Sequence, residues 1–177
     1  MDFLAKCLDA GLWHGPNGPS LSPSAQVELL TLPRPLVFTN GVYDILHPGH
    51  VQLLAQARSL GASLVLGLNS DASVRTLEKG SDRPICPLAD RMAVAGALKS
   101  VDRVTWFESP TPLDLILAIR PDILVKGGDW PIEAIVGSKE VQAWGGQVYS
   151  IPFEINRSTT QLVQRIRAST PPLAPQK

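Results

Sequence analysis

Five short apolar runs alternate with stretches of helical periodicity, and this alternation restricts the fold more than any other feature of the chain. The runs are "LVFTN", "SLVLGLN", "RVTWF", "DILVKG" and "GQVYSIPF". Each is rich in branched or aromatic residues, the composition of a buried strand. Between them lie "PGHVQLLAQARSLG", "PLADRMAVAGALKS", "TPLDLILAIRP" and "IEAIVGSKEVQAWGG". The first of these has Pro48 at a first-turn position and stops at Gly61. The second has Pro87 at its start and Lys99 near its end. Strand–helix alternation predicts an α/β fold: a doubly wound parallel sheet of about five strands with helices on both faces. Sheets of this kind bind ligands at the carboxyl ends of their strands, where the strand order reverses.

The rest of the chain is arranged around that segment. Residues 1–35 form an N-terminal extension whose "HGPNGPSLSPS" reads as a loop. Short helices are expected near Phe3–Leu12 and Ser24–Leu30. Residues 36–167 form the domain proper. Residues 168–177 carry "STPPLAPQ" and read as a disordered tail. With 177 residues, 44% of them hydrophobic and 18% charged, the chain suits one soluble domain. Lys+Arg and Asp+Glu both number 16, so no basic excess argues for a nucleic-acid partner. An anionic ligand would be caught by cations placed locally. The two cysteines, Cys7 and Cys86, suggest no disulfide framework, and a reducing compartment is the simpler reading. No apolar run is long enough to cross a membrane, and the N-terminus lacks the features of a signal peptide, so the expected location is the cytoplasm.

The first strand runs into "GVYDILHPGH", where His47 and His50 flank Pro-Gly at a helix start. Three readings compete. A zinc site needs at least three protein ligands, and the only other histidine, His14, lies in the extension. An ordinary turn that happens to contain histidine is the bland reading. The third is a phosphate site. Gly41 would let the backbone approach a ligand, and the free N–H groups of a helix N-terminus attract anions. His47 and His50 could add donors there. A second such place is "NRSTTQLVQRIR", where Ser158, Thr159 and Thr160 open the last helix beside Arg157. Ser158 with Gln161 also forms a capping box, which does not exclude a phosphate cradle. "ILVKGGDW" would set Lys126 and Asp129 at the sheet's carboxyl edge, and "LEKGSDRPICPLADRM" carries Lys79, Arg83 and Arg91. At all of these the alternative is a merely solvated charge. Neither GxxxxGK[ST] nor GxGxxG occurs, which weakens the P-loop and standard dinucleotide readings.

"GVYDILHPGH" with the downstream "STT" resembles the HxGH nucleotidyltransferases of the cytidylyltransferase-like group, whose fold is Rossmann-like. "NSDASV", "KGSDRPICPLADRM", "VKGGDW" and "GSKEVQAWGG", in that order, resemble the branch of bacterial heptose 1-phosphate adenylyltransferases. The likeness covers about residues 36–167. It implies transfer of AMP from ATP to heptose 1-phosphate, giving ADP-heptose and pyrophosphate for surface polysaccharide. By position it implies catalytic roles for His47, His50, Lys79 and Arg91. It implies nucleotide contacts from Asn40, Gly41, Val42, Tyr43, Gly49, Asn69, Asp71, Lys126, Gly127, Asp129, Ser158, Thr159 and Thr160. Substrate contacts would come from Asp44, Arg91, Lys126 and Trp130. Mg²⁺ would be held mainly by the ATP phosphates rather than by a protein cage, and relatives commonly form homodimers. Where many glycerol-phosphate cytidylyltransferases carry "RTEG" before the STT, this chain has "PFEIN". A cytidylyltransferase acting on glycerol 3-phosphate is therefore the alternative. The heptose branch is often fused to a sugar kinase, and the expected form here is the stand-alone one.

Overall fold

The computed structural model describes residues 31–77, 82–153 and 159–169. All five expected strands form: β1 (Leu36–Gly41), β2 (Ser63–Asn69), β3 (Arg103–Phe107), β4 (Ile123–Gly127) and β5 (Gln147–Ile151). They make one parallel sheet in the order β3-β2-β1-β4-β5. The order reverses at β1, which pairs with β2 on one side and with β4 on the other. Val37 is thus opposite Leu64 and Ile123.

Alternation along the central strands divides the core into two layers. Val37, Leu64, Leu66, Leu68 and Val125 face one side, packed against Leu53, Leu54 and Ala57 of α1 (Pro48–Ser59) and Met92 and Ala95 of α3 (Leu88–Gly96). Leu36, Phe38, Val65 and Leu124 face the other, against α4 (Leu113–Ile119) and Val141 of α5 (Ser138–Ala143). Every residue of β2 is buried, which is why that strand reads as a continuous apolar run. At the amino ends of the inner strands two aspartates act as braces. Asp122 accepts the Leu36 N–H at 2.6 Å and pairs with Arg34 at 2.8 Å. Asp102 accepts the Leu64 N–H at 2.7 Å and pairs with Arg58 at 2.8 Å. The end of the extension is tied to the sheet as well, because Ser63 Oγ donates to Pro33 O at 2.6 Å.

Three elements differ from expectation. A short helix, α2 (Asp71–Thr76), follows β2 directly, capped by Ser70 Oγ, which accepts the Ser73 N–H. The expected helix over "IEAIVGSKEVQAWGG" is broken into a 3-10 turn (Ile132–Ala134) and α5. Gly137 between them has φ +87°, and a Cβ there would stand 2.7 Å from Ile116 Cδ1. The left-handed turn brings Gly137 against Ile116 of α4 and sets α5 on β4 and β5, and a continuous helix could not make it. The last helix, α6 (Thr159–Ser169), runs two residues past the expected domain boundary and buries none of its residues. The expected helices near Phe3–Leu12 and Ser24–Leu30 lie outside the described residues.

Candidate active site

A cleft of about 700 Å³ opens at the carboxyl ends of β1 and β4, where the strand order reverses. Asn40, Gly41, Lys126 and Gly127, at the ends of the two strands, line it. The β1–α1 connection contributes Val42, Tyr43 and Asp44, and α1 contributes His50 and Leu53. Trp130, Phe153 and the first two residues of α6, Thr159 and Thr160, line it too. Thr159 Oγ1 donates to Ile45 O at 3.3 Å, tying the start of α6 to the β1–α1 connection.

The two histidines meet at the start of α1. His47 is the N-cap residue, with extended backbone, and its side chain makes no capping bond. Pro48 supplies the first helical position, where a missing N–H costs nothing. The imidazoles stack with centroids 3.8 Å apart and planes 21° apart, and the Tyr43 ring lies 4.8 Å from that of His50. Tyr43 takes a left-handed φ of +48°, uncommon for an aromatic residue. A Cβ on Gly41 would stand 2.8 Å from Tyr43 Cε2. The bareness of Gly41 thus makes room for the tyrosine ring, a use distinct from the expected backbone approach to a ligand. His47 is 8% exposed, and its Nδ1 has no hydrogen-bond partner among the described residues. Burial lowers the His47 pKa, favouring the neutral ring, and burial raises that of Tyr43.

Other residues singled out in the sequence are placed differently. Arg91 does not line the cleft. It is 2% exposed and lies behind the site, donating from Nη1 to Val42 O at 2.8 Å, from Nε to Cys86 O at 3.0 Å and from Nη2 to Asp71 Oδ1 at 2.7 Å. Arg91 and Asp71 were expected at substrate and nucleotide. Instead they bind each other and hold three segments together. Asn69 is also buried and donates to Ser73 Oγ at 2.9 Å. Gly49 is buried in the first turn of α1, and Asp129 is exposed outside the cleft lining. Asp44 lines the cleft, but its carboxylate is taken up by Arg83 and by the N–H groups of Ile85 and Cys86. Burial alone would raise its pKa. The bonds from Cys86, Ile85 and Arg83 outweigh that and hold it below the ordinary aspartate value. Lys79, Arg157 and Ser158 lie outside the described residues. Arg83, which the sequence offered only as one of three candidate cations, lines the cleft, and so do Leu53, Val74 and Phe153, which the sequence did not single out.

The parallel sheet, the cleft at its reversal point and the two helix starts facing that cleft define a Rossmann-like α/β ligand-binding protein. The chain belongs to the cytidylyltransferase-like family, whose profile matches residues 38–171. It is 54% identical over 136 residues to the D-beta-D-heptose 1-phosphate adenylyltransferase of Bordetella bronchiseptica, covering 77% of this chain and 84% of that protein. It is also 54% identical over 132 residues to the bifunctional protein HldE of Escherichia coli, covering 75% of this chain but 28% of that one. The chain thus spans under a third of that two-function relative. Among solved structures, a lipopolysaccharide core biosynthesis protein from Thermoplasma volcanium superposes with a TM-score of 0.56 at 26% identity, over 69% of this chain and 98% of that one. The pantothenate synthetase of Thermus thermophilus, at 17% identity and a TM-score of 0.51 over 72% of this chain and 59% of that one, shares the fold.

Proposed function

We propose that this protein is a nucleotidyltransferase that transfers AMP from ATP to heptose 1-phosphate, releasing pyrophosphate and forming ADP-heptose for surface polysaccharide. The observation that carries the reading is the 54% identity to a heptose 1-phosphate adenylyltransferase that it matches over 84% of that protein's length. Nothing comparable favours the glycerol 3-phosphate alternative. The relative's name specifies the D-β-D sugar, so that anomer is the acceptor of choice here.

The chemistry asks little covalent work of the protein. A phosphate monoester has a second pKa of about 6, so the acceptor is already an anionic nucleophile near neutrality. Attack at the α-phosphorus therefore needs no general base. It needs two anions brought together in line, and the developing charge neutralised. On this reading His47 and His50 donate to phosphoryl oxygens at the start of α1, the Thr160 hydroxyl and the free backbone N–H groups do so at the start of α6, where Thr159 is held by its bond to Ile45 O, and Lys126 offsets charge from the end of β4. Arg91 and Asp71 act indirectly, by fixing the connection that carries Val42. Mg²⁺ would supply charge neutralisation on the polyphosphate. Among the described residues no group of three or more His, Cys, Asp or Glu could hold a metal ion, and Asp44 is already engaged. On this reading the ion arrives with the nucleotide, held mainly by its phosphates. A homodimer and a cytoplasmic setting belong to the same proposal. No helix among the described residues is long and apolar enough to cross a membrane, and sedimentation tests the dimer.

A pyrophosphate-release screen crossing four nucleoside triphosphates with a sugar-phosphate panel tests the activity. Release from ATP that depends on heptose 1-phosphate supports it. Efficient release from CTP with glycerol 3-phosphate, and none from ATP with heptose 1-phosphate, overturns it.

A further inference from the structure

Asp44 presents a problem in a cleft meant for two anionic substrates. A carboxylate on the wall repels both unless its charge is used for something else. Its side chain is 2% exposed and pinned through both oxygens: Oδ1 accepts the Cys86 N–H at 2.8 Å, and Oδ2 accepts the Ile85 N–H at 3.0 Å. The third bond is to Arg83, whose Nη1 donates to Oδ2 at 2.6 Å. Arg83 itself lines the cleft, with its side chain 9% exposed. A guanidinium carries donors on Nε, Nη1 and Nη2 in a planar fork. Among the described residues only Nη1 is engaged, which leaves Nε and Nη2 without a protein partner. A nearly buried cation with spare donors, aimed by a fixed carboxylate into a cleft, is built to receive a planar or tetrahedral anion.

From this geometry we infer that Arg83, aimed by Asp44, is a phosphate-binding residue of the site, donating its free edge to a phosphoryl group of the bound ligand. Asp44 is then a positioning residue. It holds one end of the fork so that the other is presented at low entropic cost. The chemistry recognised is a phosphoryl dianion, which either the acceptor's monoester or the nucleotide's polyphosphate can provide. The inference rests on the proposed adenylyl transfer for its substrates, though not for the binding itself.

The test compares wild type with Arg83→Lys and Asp44→Asn. Lysine keeps the charge and a contact to Asp44 but loses the fork. Steady-state kinetics give KM for ATP and for heptose 1-phosphate separately, calorimetry gives Kd for ATP and for inorganic pyrophosphate, and thermal melting reports folding. Arg83→Lys is expected to raise one KM by about 10-fold or more while melting close to wild type. Asp44→Asn should raise the same KM, by a smaller factor. If the affected constants are KM for ATP and Kd for ATP and pyrophosphate, the arginine serves the nucleotide. If KM for heptose 1-phosphate alone moves, it serves the acceptor. Wild-type values for every KM and Kd in a folded Arg83→Lys protein would overturn the inference and leave Arg83 as a mere partner of Asp44. If wild type releases no pyrophosphate with these substrates, the functional reading fails. The ATP and pyrophosphate titrations then decide the arginine alone, with unchanged affinities counting against it.

Discussion

Replacing Arg91 by methionine separates a catalytic arginine from a structural one. The side chain is fully buried and makes three bonds of 2.7–3.0 Å, two to main-chain carbonyls and one to Asp71. Methionine keeps much of the apolar stem, so lost packing contributes little. What remains are two carbonyls without their donor and a carboxylate without its cation. Removing one partner of a buried ion pair costs about 3–5 kcal/mol. Here the Asp71 side chain is 30% exposed, so water recovers part of that. A loss of about 2–4 kcal/mol follows, and for a chain of this size it should lower the melting temperature by roughly 5–15 °C. Arg91→Lys should rescue little, since one ammonium cannot span three acceptors set around a planar fork. Thermal melts followed by circular dichroism, with turnover measured well below the transition, make the comparison. Turnover should fall by much less than for loss of a histidine. A variant that melts like wild type yet loses about 100-fold or more in turnover, the scale for removing a transition-state donor, would refute the reasoning and return Arg91 to the chemistry.

His50→Ala should lower turnover by roughly 10²–10³-fold and leave the fold intact, because the ring sits at a helix start in the cleft; near-normal kcat in a folded variant would count against a phosphate role. Thr160→Ala should weaken catalysis more than stability, since Thr160 is exposed and lines the cleft; a change in melting temperature alone would mark it as structural. The Asp44 carboxyl binds its proton less tightly in the folded chain than in the unfolded one. It therefore contributes stability that is present above the unfolded value of about 4 and lost as pH falls through the lower folded value; Asp44→Asn should flatten that acid limb in pH-dependent denaturation, and an unchanged limb would contradict the assignment. A Cβ on Gly127 would press on Leu53 and stand 2.9 Å from Phe153 Cζ, both in the cleft wall. Gly127→Ala should thus cost about 1–3 kcal/mol of stability and raise a substrate KM; wild-type melting and kinetics together would show that the wall yields freely.

The inner strands were legible because helices cover both faces of the sheet there, which makes β2 buried throughout, whereas β5 at the edge buries none of its residues and was marked only by its branched and aromatic side chains. The site's location was legible for a related reason: the first strand had to end where the histidines begin. Helix α2 escaped notice because six residues are too few to show a period. Its one signal, Ser70 ahead of "DAS", looks like any turn. Gly137 was visible, but nothing local says whether a glycine is merely tolerated in a helix or holds a left-handed turn, which Ile116 on another helix decides. Arg91 is instructive in another way. Met92 and Ala95 are buried on the same face of α3, one and four residues on. Helical spacing alone therefore put this arginine on the inward side of α3. Arg83 gave no such signal. Its importance comes from Asp44, 39 residues earlier, and from the fold that brings the two to 2.6 Å.

The central claim is attack by a sugar phosphate on the α-phosphorus of ATP, and the fate of labelled phosphorus tests it most directly. Purified protein with Mg²⁺ and heptose 1-phosphate would be given ATP labelled at the α or at the γ position, with products separated by chromatography. The account predicts that α label enters a sugar nucleotide and γ label appears only in pyrophosphate. γ label on the sugar phosphate, or α label remaining wholly in ATP, ADP and AMP while ATP is consumed, would contradict it.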